Sequence, residues 1–136
     1  LYQQKSVSLH RIYPLVQKYI IFSVSIILKI YLPLIINHNY FLKESVPGLT
    51  AEIASHSIYE YLEQVLHMTI VNSKRIMTVE KVTEIDEKYL HLNVKDYNCV
   101  AVVSSQTYNS DGVMFEYTQS RHRPDHFRFY DNALRR

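Results

Sequence analysis

The stretch from Val113 to Arg123 (VMFEYTQSRHR) holds the side chains best suited to chemistry. In a strand, successive side chains point to opposite faces, so Met114, Glu116, Thr118, Ser120 and His122 share one face. Val113, Phe115, Tyr117, Gln119 and Arg121 share the other. Glu116 accepts hydrogen bonds, Thr118 and Ser120 donate and accept, and His122 can do either. Such a row is either the solvated side of an antiparallel strand or the wall of a pocket for a hydroxyl-rich ligand. A second candidate lies at Ser57-Ile58-Tyr59-Glu60, which matches the Ser-x-x-Glu capping box. The first turn of the helix it opens exposes backbone N–H groups and the positive dipole end, a site for phosphate or carboxylate, although capping alone also accounts for Ser57. Asn37 and Asn39, in LIINHNYFL at 34–42, could donate to a sugar or cap a turn.

Other reactive groups lack the setting that chemistry needs. His122, Asp125 and His126 could suggest a metal cluster, but Pro124 disrupts the helix such a spacing would require, so no metal is expected. Cys99 lies in a β-branched run with no helix N-terminus or paired histidine, which makes it a small buried hydrophobe rather than a nucleophile. As the single cysteine it excludes an internal disulfide framework and points to a reducing, cytoplasmic setting. A net charge of +2 is too weak to argue for nucleic-acid binding. With 47% hydrophobic and 21% charged residues, the 136-residue chain is expected to fold as one domain, 1–136. The apolar stretch Tyr19 to Ile36 is interrupted by Lys29 and Pro33 and falls short of the ~20 residues a bilayer needs. Its Ile, Val, Phe and Tyr content favours buried strands over a membrane anchor.

These residues need elements to position them. Strand patterns run over 15–28, 34–42, 69–82, 97–108 and 113–123. Twelve tyrosines against two glycines suit a sheet-rich domain. Asn109-Ser110-Asp111-Gly112 predicts a hairpin turn joining the last two strands, with Gly112 supplying positive φ. One helix is predicted from just after Ser57 to about His67, with Ile58, Tyr61, Leu62, Val65 and Leu66 as its buried stripe. A second, opened by Thr83-Glu84-Ile85-Asp86 and running through Leu92, would bury Ile85, Tyr89 and Leu92. In the tail, Phe127 and Phe129 fall on one side of a short extended piece.

The stretches VPGLTAEIASHS at 46–57, HSIYEYLEQVL at 56–66, YNSDGVMFEYTQSRHRPDHFRF at 108–129 and the final DNALRR together resemble the UTRA domain of GntR-type, HutC-subfamily bacterial transcriptional repressors. The resemblance implies an α+β fold related to chorismate lyase, an antiparallel sheet with helices packed against it and the ligand held between. It implies no cofactor and no catalysis. The implied effector is a sugar phosphate, trehalose 6-phosphate above others, with Ser57 on the phosphate and Glu116 and His122 on the sugar. Asn37 falls near a family position that is acidic or polar, and Thr118 and Ser120 lie on the same implied ligand-binding face. Operator DNA would be read by an N-terminal winged helix-turn-helix that these residues do not contain, and a homodimer is implied. The family's usual Arg-x-Arg phosphate clamp and Asp-Gly hairpin are missing between Tyr19 and Leu32, so residues are expected to have dropped out between 15 and 33. Two alternatives remain open: a small chorismate-lyase-like enzyme using Glu116 and His122, and a domain that only dimerises.

Overall fold

The computed structural model describes residues 2–7, 20–29 and 31–135. Six strands form one antiparallel sheet: β1 (Tyr2–Val7), β2 (Ile20–Lys29), β3 (Leu32–Leu42), β4 (Ile70–Lys81), β5 (Cys99–Asn109) and β6 (Met114–His122). Their order across the sheet is β1-β2-β3-β6-β5-β4. The first three strands and the last three are thus two meanders, joined where β3 pairs with β6, and this places the polar row of β6 at the centre of the sheet.

The turn chemistry follows the sequence. Between β5 and β6, Gly112 takes φ 74°, and the Asn109 side-chain oxygen accepts from the N–H groups of Asp111 and Val113 at 3.0 Å each. This is the turn the Asn-Ser-Asp-Gly run predicts. Between β2 and β3 the chain closes in two residues, with Lys29 opposite Leu32 and Tyr31 in the left-handed region at φ 66°. Residues 15–19, which the first predicted strand also included, lie outside the described residues.

Helices flank the sheet on both sides of β6. A short helix α1 (Ala51–Ser55) is capped by Thr50, whose hydroxyl accepts from the Ile53 N–H at 3.3 Å. Next comes α2 (Ile58–Glu60), which widens at once into a π-helical turn over Tyr61–Val65, closed by the Leu66 N–H on the Tyr61 carbonyl at 3.1 Å. The sequence predicts a regular helix here, and the extra residue in the turn is why Val65, expected on the buried stripe, is 59% exposed. Ile58, Tyr61, Leu62 and Leu66 do pack with Phe41, Val46 and Phe115 in one core cluster.

The second helix, α3 (Glu84–Leu90), ends two residues before the predicted boundary, at His91 with φ 53°. Of the predicted stripe, Tyr89 and Leu92 do pack in the core, but Ile85 is exposed, while Asp86 and Leu90 are fully buried. A period count ranks isoleucine above aspartate for the core, but Asp86 is drawn in by two partners. Its carboxylate accepts from the Thr83 backbone N–H at 2.9 Å while the Thr83 hydroxyl accepts from the Asp86 N–H at 3.4 Å, a reciprocal capping box. The same carboxylate receives Arg121 of β6. Leu90, Leu92, Ile36, Val100 and Val102 close the second core cluster around this pair.

Candidate functional site

Residues opposite one another in a sheet point to the same side, so register extends the polar row of β6 across its neighbours. Asn37 stands opposite Ser120 and Asn39 opposite Thr118 on β3; Ser105 stands opposite Thr118 and Thr107 opposite Glu116 on β5. One strand further out, Arg75 of β4 lies opposite Ser105. The bulge between Thr107 and Tyr108 ends the row, and Met114, assigned to it by alternation, stands exposed beyond.

Hydrogen bonds tie this row together. The Ser120 hydroxyl bonds the Asn37 side-chain oxygen at 2.6 Å. The Thr118 hydroxyl lies 2.8 Å from a Glu116 carboxylate oxygen and 3.2 Å from the Asn39 side chain. A hydroxyl has one hydrogen, so the consistent arrangement has Thr118 donating to Glu116 and the Asn39 amide, turned over, donating to Thr118. Glu116 is itself buried, and its other oxygen accepts from the Tyr59 hydroxyl of α2. Burial pushes the Glu116 carboxyl above its usual range, and the Tyr59 and Thr118 bonds counter that only in part. Burial and the Glu116 bond likewise push the Tyr59 hydroxyl up.

The Tyr59–Glu116 bond brings together the two features the sequence singled out separately. Ser57 caps α2, its hydroxyl accepting from the Glu60 N–H at 3.3 Å, and it is exposed to solvent. Tyr59, two residues on, reaches the carboxylate at the head of the polar row. His122 closes the far end of that row, half-buried and edge-on to Phe127 at 5.1 Å between ring centres. Burial lowers its pKa from the ordinary histidine value, so near neutral pH the ring is an uncharged donor and acceptor. Phe129, paired with Phe127 by the sequence pattern, is exposed instead.

Three residues of this region escape sequence reasoning. Tyr59 is hidden inside the capping motif, and only the fold shows what it touches. Arg75 sits in a strand the sequence located, and its positive charge is felt at the Tyr59 hydroxyl across the sheet. Arg121, alternating to the opposite face of β6, is buried against Asp86 with two bonds of 2.8 Å. Its alternation position marked the face, but a buried arginine is announced by no local pattern. Among the described residues no cluster of three His, Cys, Asp or Glu side chains could hold a metal ion. A recess of about 560 Å³ near the β5–β6 turn, lined in part by Glu44, His67, Asn109 and Asp111, includes none of the predicted site residues.

The six-stranded antiparallel sheet thus carries a polar row at its centre, with the start of α2 docked on it through Tyr59. Residues 31–128 match the UTRA domain family, and the chain belongs to that family. The HTH-type transcriptional regulator TreR of Bacillus subtilis (strain 168) is 40% identical over 101 residues, 74% of this chain and 42% of that protein. GmuR, an HTH-type transcriptional regulator of the same organism, is 30% identical over 95 residues, 70% of this chain and 39% of that protein. The chain therefore spans about two fifths of the length of these relatives. Among solved structures, the effector-binding domain of the B. subtilis trehalose repressor superposes with a TM-score of 0.74 at 32% identity, covering 98% of this chain and 94% of that one. A GntR-family regulator from Bacillus cereus shares the fold at 18% identity, with a TM-score of 0.81 and coverage of 98% and 99%. No helix among the described residues is long and apolar enough to cross a membrane.

Proposed function

We propose that this domain senses a sugar phosphate, trehalose 6-phosphate by preference, on behalf of a GntR-type transcriptional repressor. The observation that carries the reading is the Tyr59–Glu116 bond, which sets the capped start of α2 beside the polar row of β6. The phosphate docks at Ser57, within reach of the Arg75 charge. Glu116 and His122 grip hydroxyls at opposite ends, and Thr118, Ser120 and Asn37 line the wall between them. The likeness to the trehalose repressor's effector-binding domain supports the choice of sugar. DNA reading belongs to a winged helix outside these residues, and the working unit is a homodimer in the cytoplasm.

Binding, rather than turnover, fits the spacing. Glu116 and His122 are six residues apart on one strand, about 20 Å at ~3.3 Å per residue, too far for a shared proton relay. Both Glu116 oxygens accept hydrogen bonds inside the protein, which fixes the carboxylate in place while each oxygen keeps a second lone pair for a ligand hydroxyl. To switch a repressor, the ligand must favour one conformer over the other, by about 5.5 kcal/mol for a near-complete flip. Calorimetric titration with trehalose 6-phosphate, trehalose and glucose 6-phosphate tests the reading. The phosphorylated disaccharide should bind tightest, and equal or absent binding of all three would remove the proposal.

A further inference from the structure

The start of α2 is a weak seat for a phosphate on its own. The helix runs for three residues before the π-helical turn, and Glu60 places a carboxylate in its first turn, so little positive dipole is left for an anion. A cation is needed close by. Strand β2 has a single basic residue, Lys29, at its last position. On β4, Arg75 stands opposite Ser105, and Ser105 stands opposite Thr118. Two strand spacings of about 4.8 Å put the Arg75 backbone about 10 Å from that of Thr118, a gap its long side chain can lean across. Lys81, the next cation on that face of β4, is six residues further on, about 20 Å away.

Arg121 and Arg123 are each paired with a carboxylate, Asp86 and Asp125. Arg75 is exposed and makes no ion pair among the described residues. Beside it lies a pair of hydroxyls, Ser73 Oγ and Ser105 Oγ, 2.7 Å apart. Two hydroxyls bonded to each other use one of their two hydrogens and leave the second free to donate. Thr107 stands opposite Ser73 on one side and Glu116 on the other, so this pair and the Tyr59–Glu116 bond border one continuous polar surface. We infer that Arg75, Ser73 and Ser105 form an anion subsite on β4 and β5, which holds the phosphate of the effector while the sugar lies along β6. Arg75 supplies the charge and a planar fork of donors that suits two phosphate oxygens at once, and the hydroxyl pair supplies a further donor. The subsite thus discriminates between a sugar and its phosphate ester, and the polar row between one sugar and another. The inference rests on the sugar-phosphate reading of the proposed function and adds where the charge is bound.

Calorimetric titration with trehalose 6-phosphate and with trehalose tests it on the unchanged chain, on Arg75→Glu and on the double variant Ser73→Ala, Ser105→Ala. Reversing the charge should weaken trehalose 6-phosphate about a hundredfold, and removing both hydroxyls about tenfold. Arg75→Lys, which keeps the charge without the fork, should fall between Arg75→Glu and the unchanged chain. Trehalose should bind all of these chains alike, and that intact binding also shows that the variants are folded. If the unchanged chain prefers the phosphate ester and Arg75→Glu keeps the preference in full, the subsite is overturned and the sugar-phosphate reading stands. Variants that lose trehalose as much as its phosphate overturn the subsite as well, because the residues then act on the sugar or the fold. An unchanged chain with no preference for the phosphate ester removes both.

Discussion

Replacing Asp86 by alanine removes a carboxylate that is wholly buried and accepts four hydrogen bonds. These are Arg121 Nε and Nη2 at 2.8 Å each, the Thr83 N–H at 2.9 Å and the Thr83 hydroxyl at 3.0 Å. Arg121 is left buried with only the Glu80 carboxylate at 3.6 Å and the Lys81 carbonyl at 3.4 Å. Breaking a buried ion pair from one side costs about 3–5 kcal/mol, and loss of the cap adds about 1 kcal/mol. The expected loss of about 4–6 kcal/mol is a large share of the ~5–15 kcal/mol that holds a domain of this size. With a urea slope near ~2 kcal/mol/M, the unfolding midpoint should fall by about 2–3 M, followed by circular dichroism. Changing Asp86 to leucine and Arg121 to methionine together should cost well below the sum of the two single changes, since no unpaired charge stays inside. A midpoint shift under about 0.5 M for the alanine variant, or strict additivity in the double variant, would refute the argument. Acid gives an independent check. Burial alone would raise the Asp86 carboxyl, but the Arg121 and Thr83 hydrogen bonds outweigh it and hold the group below its usual range. Its stabilisation is therefore complete above the ordinary carboxylate range and is lost as pH falls through the lowered folded value.

Glu116→Gln keeps a side chain that can bond Tyr59 and relieves a buried charge, so stability should hold or rise while calorimetry registers at least a tenfold loss of sugar-phosphate affinity. Arg75→Gln should weaken trehalose 6-phosphate about tenfold and leave unphosphorylated trehalose nearly unchanged; equal losses for both would deny it a role with the anion. His122 is held neutral by burial, so the stability it contributes is present above the ordinary histidine value and lost as pH falls through its lowered one. A His122→Phe variant should show less of that acid-side decline in melting temperature. Gly48→Ala should lower stability by about 1–2 kcal/mol, because Gly48 takes φ 76° and an added Cβ would lie 2.8 Å from the Tyr61 hydroxyl that donates to the Pro47 carbonyl. A denaturation midpoint equal to that of the unchanged chain would count against it.

Much of this fold is visible in the chain because its signals are local. Alternation in 113–123, the Asn-Ser-Asp-Gly turn and the β-branched run before it together specify the antiparallel β5–β6 hairpin, though not the register shift between Thr107 and Tyr108. The helix starts are equally plain, since Ser57 and Thr83 each act on an N–H three residues away. What local patterns omit is the choice among buried residues. Nothing near Asp86 or Arg121 in sequence announces a partner 35 positions distant, so apolar periodicity assigned Ile85 to the core instead. The site divides along the same line. Glu116, Thr118, Ser120 and His122 share a face by alternation alone, whereas Arg75 joins them only through β4–β5 and β5–β6 pairing and Tyr59 only through the docking of α2.

The wide turn at Tyr61–Val65 also acts as a phase shifter for the chain. One residue more than an α-helix needs is accommodated there, so everything before it is rotated by about 100° relative to a helix without the insertion. Deleting a single residue from that turn would make a tidier helix that could still seat Leu66 against the core or set Tyr59 on Glu116, but not both at once. The irregularity reconciles a packing contact with a polar one, and a redesign that straightened this segment for stability would break the Tyr59–Glu116 bond without touching either residue.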